Sequence, residues 1–446
     1  MSANVSADTG ANKSASTNAY AAAIEALAAE HGLQCGQVLF ERVPQSFMLE
    51  IAIYGLPVRM RHWSYGVRYL RQMTMHHMGQ SRIYEVMFPG APCRAFLMDS
   101  NTEAENALVT AHVLGHADFV HRNALFAGSV EQAGGGILER SAARARRIER
   151  AAQLHGQPAV DAVLDAALAL EAHVDVHASL HGRAFVATAV PDAGAATACA
   201  GALPLPEHDL LDFIARHSQA LADWERDILL AVREEALYFY PVYACQIMNE
   251  GWAPYWHARL LREAAFLPAP LYLDAIRAHS DIVRPCGDGQ NALQLNPYHL
   301  GYALWEHIIE RHGMAEARRI CRDEDDFGFI RNYLDHDFAA RLQLFAYEHD
   351  KDGAAWLATR SLPALHEAIL APRYNYGVPS IAVHSIGGGG RLTLTHDHIR
   401  DGRGLALPRA SRVLGYIARI WRRPVEVLTV NERGVKVCLQ AAPDAA

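Results

Sequence analysis

The chain has 446 residues, 51% hydrophobic and 20% charged, the balance of a packed globule with room for two or three domains. Its net charge of −8 argues against non-specific phosphate binding as its main job, which needs a clustered Lys/Arg excess, so no nucleic-acid partner is expected. No apolar stretch reaches the roughly 20 residues that cross a bilayer, and no basic segment followed by an apolar core opens the chain, so a cytoplasmic protein without membrane insertion is expected.

Residues 1–18 are small and polar and bury too little area to order themselves, so a flexible tail is expected there. The pattern AAAIEALAAEHGL predicts a helix over 21–31, ended by Gly32. In the stretch 37–61 the alternating run FMLEIAIYGLPVRM predicts one or two short strands, and two further apolar runs, 83–87 and 94–98, flank the turn PGAP. From Thr102 helix dominates. Asn101 or Thr102 caps a helix with Glu103 and Glu105 in its first turn, where carboxylates favour the dipole, running past Ala111 and His116 towards Phe126.

A second helical block is predicted over 136–181; its arginines (Arg140, Arg144, Arg146, Arg147 and Arg150) form a solvated basic face. A third starts near Leu210, where Trp224, Ile228, Leu229, Val232 and Leu237 recur at three and four, and Pro241 should interrupt it. Residues 296–320 begin with a proline turn and continue as an amphipathic helix. From Ser380 the alternation RLTLTH, a helix at 410–421 and the runs VEVLTV and VKVCLQ change the character of the chain. The expected fold is mainly α. A helical domain with short N-terminal strands covers 19–371, and a small α+β domain covers 372–446.

Seven cysteines are scattered without a CxxC pair and read as reduced thiols, neither a zinc ribbon nor a disulfide framework. Histidine spacing is more informative. Random placement of the 24 histidines gives about one i,i+4 pair. The chain has three: His112/His116, His173/His177 and His177/His181. On a helix such residues share a face, close enough for both imidazoles to meet one ion. The plain alternative for His112 and His116 is a pair of core histidines satisfied by backbone or carboxylates.

The segment MNEGWAPYWH places Glu250 and His257 two helical turns apart, and Asn249-Glu250-Gly251 resembles the segment with which gluzincin peptidases supply a carboxylate ligand. Those enzymes carry HExxH, whereas Val113 occupies the place of the general base here. Another group would have to take the proton, with Glu234, Glu235 and Tyr240 as candidates against the alternative of a solvated acidic pair. His173 offers a further ligand, against a polar helix face ending at Gly182; His76 and His77 read as single residues. The expected cation is divalent, zinc or else iron. IGGGGR (386–391) lacks GxxxxGK[ST] and reads as a hinge, and the absence of a GxSxG elbow or a cysteine nucleophile motif argues against covalent Ser or Cys hydrolysis.

The blocks RIYEVMF, PCRAFLMDSNT, ALVTAHVLGHADFVHRNALF, WERDILLAVREEALYFYP, MNEGWAPYWH and NPYHLGYALWEHI occur in this order and resemble the signatures of the SpoVR (stage V sporulation protein R) family. Departures from the family pattern are Ala117 and Asp118, where Asn-Ser is usual, and Val242, Cys245 and Gln246, where Gln, Thr and Lys are more common. The resemblance implies a sporulation or stress-response pathway, with a PrkA-type serine kinase and a von Willebrand factor A-like protein as partners. Two functions follow as expectations. One is a metal-dependent hydrolase of peptide or cell-wall bonds holding its ion through His112, His116, Glu250 and His257 or His173. The other is a non-catalytic regulatory or scaffolding protein that docks the kinase.

Overall fold

The computed structural model describes residues 19–68, 85–132, 136–176, 206–284, 296–344, 346–349, 355–359 and 361–443. The 1–18 tail, His76, His77, His177, His181 and Gly182 lie outside them. In chain order the elements are α1 (Ala21–Glu30), β1 (Val38–Val43), α2 (Gln45–Tyr54), β2 (Glu85–Phe88), β3 (Cys93–Met98), α3 (Glu103–Arg122), α4 (Ala124–Gln132), α5 (Ile137–His155) and α6 (Gln157–Ala169). There follow α7 (Leu210–His217), α8 (Asp223–Ala244), α9 (Gln246–Glu263), α10 (Ala269–Ile282), α11 (Pro297–Asp323), α12 (Asp326–Tyr333), α13 (His336–Arg341), β4 (Ala346–His349), β5 (Ala355–Thr359) and α14 (Leu362–Leu370). The chain closes with β6 (Ile381–Ile386), β7 (Leu392–His396), α15 (His398–Asp401), α16 (Leu407–Trp421), β8 (Val425–Val430) and β9 (Lys436–Ala441). The fold is mainly α, with small sheets near the N-terminus and a C-terminal sheet.

The chain gathers into two compact units, the first from Met1–Met48, Ile83–His121 and Glu250–Trp305, the second from Leu49–Arg82, Arg122–Asn249 and Glu306–Ala446. In the first, β1 runs parallel to β3 with Val38 opposite Cys93, and β2 pairs antiparallel to β3 with Phe88 opposite Arg94. The turn PGAP thus joins two neighbouring strands. Helix α3 starts with a capping box: the Thr102 hydroxyl accepts from the Glu105 N–H at 3.2 Å, and the Thr102 N–H donates to the Glu105 carboxylate at 2.7 Å. It is buried on every side from Asn106 to Val120, as expected of a helix apolar all round.

In the second unit α6, α7 and α8 share one core with the C-terminal sheet and α16, including Val163, Leu164, Leu211, Val232, Leu394, Trp421 and Val427. The sheet runs β6-β7-β8-β9, with β7 and β8 parallel and the outer pairs antiparallel. Helix α16 makes the crossover between the parallel strands and buries Leu414, Ile417, Ile420 and Trp421 on one face.

Three local expectations are corrected. FMLEIAIYGLPVRM does not form strands: α2 takes most of it and buries Met48, Leu49, Ile51 and Ile53, a run so apolar that it satisfies both periods. Pro241 does not interrupt α8, which continues to Ala244, where the Cys245 N–H bonds the Pro241 carbonyl at 3.0 Å. A proline one turn from a helix end forfeits a single hydrogen bond. IGGGGR is no hinge but the tight link of the β6–β7 hairpin, closed by the Gly387 N–H on the Arg391 carbonyl at 2.8 Å. Among the described residues no helix is long and apolar enough to cross a membrane.

Candidate metal centre

Helices α3 and α9 approach closely because small residues face each other. A Cβ on Gly115 would lie 2.8 Å from the Ala253 Cα, and a Cβ on Gly251 would lie 2.2 Å from the Gly301 carbonyl carbon. Neither distance is sterically possible, so glycine is required where main chain meets main chain. Around these contacts the rings of Trp252 and Trp305 pack edge to face at 4.7 Å, and Trp252 and Trp256 at 5.8 Å, all three fully buried. Asp118, one of the departures from the family pattern, is buried and accepts from the Trp252 indole N–H at 3.0 Å and from the Gln34 N–H at 2.6 Å. Its carboxylate ties α3 to α9.

On this frame His112 and His116 point the same way, their Nε2 atoms 3.1 Å apart and both residues buried. Two carboxylates face them. Glu85, from β2, has an oxygen 3.9 Å from His112 Nε2, and Glu250, from the first turns of α9, has one 3.8 Å from His116 Nε2. The ligand atoms of Glu85, His112 and His116 all lie within 4.8 Å of one another. One oxygen of Glu85 and one of Glu250 are buried without a hydrogen-bond partner. Buried carboxylate oxygens are rarely left so, and two of them beside paired imidazoles match the donors that zinc or iron takes.

Electrostatics point the same way. Burial, opposed by His116 and reinforced by Glu250, pushes the Glu85 carboxyl up to about 7. Burial, and after it the neighbouring imidazoles, hold His112 and His257 well below the usual histidine range, so both rings are neutral and have lone pairs to give. Tyr298 donates its hydroxyl to Glu250, and burial together with that carboxylate raises its pKa far above the ordinary value.

His257, fully buried, meets the other nitrogen of His112: the two Nδ1 atoms are 2.9 Å apart. Its own Nε2 lies 2.6 Å from Nδ1 of His279 on α10, whose pKa burial and Arg262 push down to about 4. His257 therefore adjoins the cluster from behind His112.

The first unit thus brings together His112, His116, Glu250 and His257 of the residues singled out by sequence. His173, Glu234, Glu235 and Tyr240 belong to the second unit and have partners there. Glu234 pairs with Arg140 at 2.7 Å and with Arg144; Glu235 is buried, paired with Arg59 at 2.6 Å and bonded by the Ser141 hydroxyl at 3.1 Å. Burial raises the Tyr240 hydroxyl, and His173 bonds the Pro379 carbonyl. Sequence reading missed Glu85, His279 and Tyr298. A lone carboxylate inside the apolar run IYEVMF was the available sign for Glu85; the other two carry no spacing signal.

A buried helix-borne His pair faced by two carboxylates defines a helical protein with a cluster that could hold a metal ion. The chain belongs to the SpoVR family: the family model described as "SpoVR like protein" matches residues 12–190 and 191–361. It is also 24% identical, over 458 residues, to "Uncharacterized protein YcgB" of Escherichia coli (strain K12), a match covering 87% of this chain and 86% of that one. No solved structure matches it.

Proposed function

We propose that this chain is a cytoplasmic metal-dependent hydrolase acting on peptide or cell-wall bonds, with its centre at His112, His116 and Glu250. The observation that carries the reading is the convergence of two imidazole nitrogens, 3.1 Å apart, with two half-buried carboxylates, each having one buried oxygen without a partner. A divalent ion held there, zinc or iron, would supply a Lewis acid that activates water and polarises a carbonyl.

The chain's own residues do the rest. His257 shares a proton with His112 Nδ1 and so fixes which nitrogen of His112 faces the carboxylates, and His279 does the same for His257. Tyr298 holds one oxygen of Glu250 through its hydroxyl. Glu85, on β2 with an oxygen 3.9 Å from His112 Nε2, is placed to take a proton from water, the role that Val113 cannot fill.

The test is elemental analysis of purified wild type beside a His112→Ala/His116→Ala variant. Bound zinc or iron in the wild type and its loss from the variant are expected; equal metal content in both sinks the reading. Val113 in place of the HExxH glutamate favours a second reading, in which the cluster organises the core of a non-catalytic protein that docks a PrkA-type kinase and a von Willebrand factor A-like protein. Equal metal content together with kinase retention on the immobilised variant would support it.

A further inference from the structure

The second unit contains a cavity of about 480 Å³, within the size range of small-molecule sites. One wall is aromatic. The Tyr376 ring lies 5.4 Å from that of Tyr240 and 5.3 Å from that of Tyr243, and Phe327 stacks on Tyr374 at 5.5 Å with planes 7° apart. Tyr376 and the preceding Asn375 have φ of 56° and 48°, left-handed conformations that cost free energy in non-glycine residues and collect at ligand sites. Tyr376 lines the cavity, and its hydroxyl is buried without a partner.

Opposite chemistry comes from His173. Its ring bonds the Pro379 carbonyl, while its Nδ1 is buried and has no partner. The bonding nitrogen is therefore the Nε2–H, which leaves Nδ1 as a fixed lone-pair acceptor. Most charged groups lining the cavity have partners: Arg331 bonds Glu367 and the Tyr374 hydroxyl, Arg373 pairs with Asp326, and Asp401 bonds His396 and accepts from the Ser380 N–H. Arg400 is the exception. It lines the cavity, is exposed, and its guanidinium has no partner among the described residues.

We infer that this cavity binds a nucleoside monophosphate, the base lying against the tyrosine wall with an N–H on His173 Nδ1 and the phosphate on Arg400. A flat ring satisfies the aromatic wall, a ring N–H satisfies the orphaned acceptor, a ring nitrogen or carbonyl accepts from Tyr376, and only an anion uses the free guanidinium. The site lies within the second unit and stands independently of the metal reading.

The experiment is titration calorimetry of the full-length chain in EDTA with AMP, GMP, CMP, UMP, adenosine, guanosine and inorganic phosphate. At least one monophosphate is expected to bind saturably and at least tenfold more tightly than its nucleoside or phosphate alone. Arg400→Gln, an exposed change that leaves the core intact, should weaken that nucleotide about tenfold and leave the nucleoside unchanged, as loss of one charge-assisted contact implies. His173→Phe should weaken both alike, with an unchanged circular dichroism spectrum. Failure of all four nucleotides to bind, phosphate binding as tightly as the nucleotide, or Arg400→Gln binding like the wild type overturns the assignment.

Discussion

Glu85→Gln probes the candidate centre through protein stability rather than turnover. Burial raises this carboxyl from 4.5 to about 7, a difference worth about 3 kcal/mol against its ionised form. Between those values the folded chain keeps a proton that the unfolded chain has released. Stability from this group therefore falls as pH rises through the window, and the whole penalty is present above about 7. Glutamine carries no such proton. In EDTA the variant should match the wild type near pH 4.5 and exceed it by up to about 3 kcal/mol near pH 8, by urea unfolding followed with circular dichroism. Excess zinc should narrow or reverse that gap, because a cation beside Glu85 offsets the cost of ionising it. A stability difference constant across this pH range, or a variant less stable than wild type near pH 8 in EDTA, would refute the reasoning.

Two further substitutions test the frame. Gly115→Ala places a Cβ 2.8 Å from the Ala253 Cα, so one backbone must move; thermal melts should show a loss of about 1–3 kcal/mol, with lower metal content in the purified protein. Glu235→Ala removes the nearest partner of Arg59, leaving it Glu171 at 3.7 Å and the Tyr54 carbonyl, and chemical denaturation should show a loss of about 1–3 kcal/mol while metal content stays at the wild-type level.

How much of this was legible depended on whether the signal was local. The His112/His116 pair could be read because a helix repeats every 3.6 residues, and Glu250 because its neighbours form a recognisable segment. Thr102 and Glu105 announced the start of α3 through their spacing alone. Glu85 could not be reached that way. It sits on a strand 27 positions before His112, and strand-to-helix packing leaves no period in the chain. His279 and Tyr298 are brought in by helix packing in the same non-local manner. The α2 segment was misread for another reason: with Phe47, Met48, Leu49, Ile51 and Ile53 nearly contiguous, polar residues too sparse to mark a face left strand and helix equally consistent. Glu234, Glu235 and Tyr240 were conspicuous as chemistry-bearing types, but sequence could not disclose that two of them face arginines.

The Gly115–Ala253 and Gly251–Gly301 contacts set the tolerances of the whole centre. Where main chain rests on main chain, the separation is fixed by atomic radii, and no rotamer change nearby can act as a shim. Thermal jostling of the surrounding aromatics therefore leaves the gap between the helices as it is. Only the exchange of an entire residue can widen it.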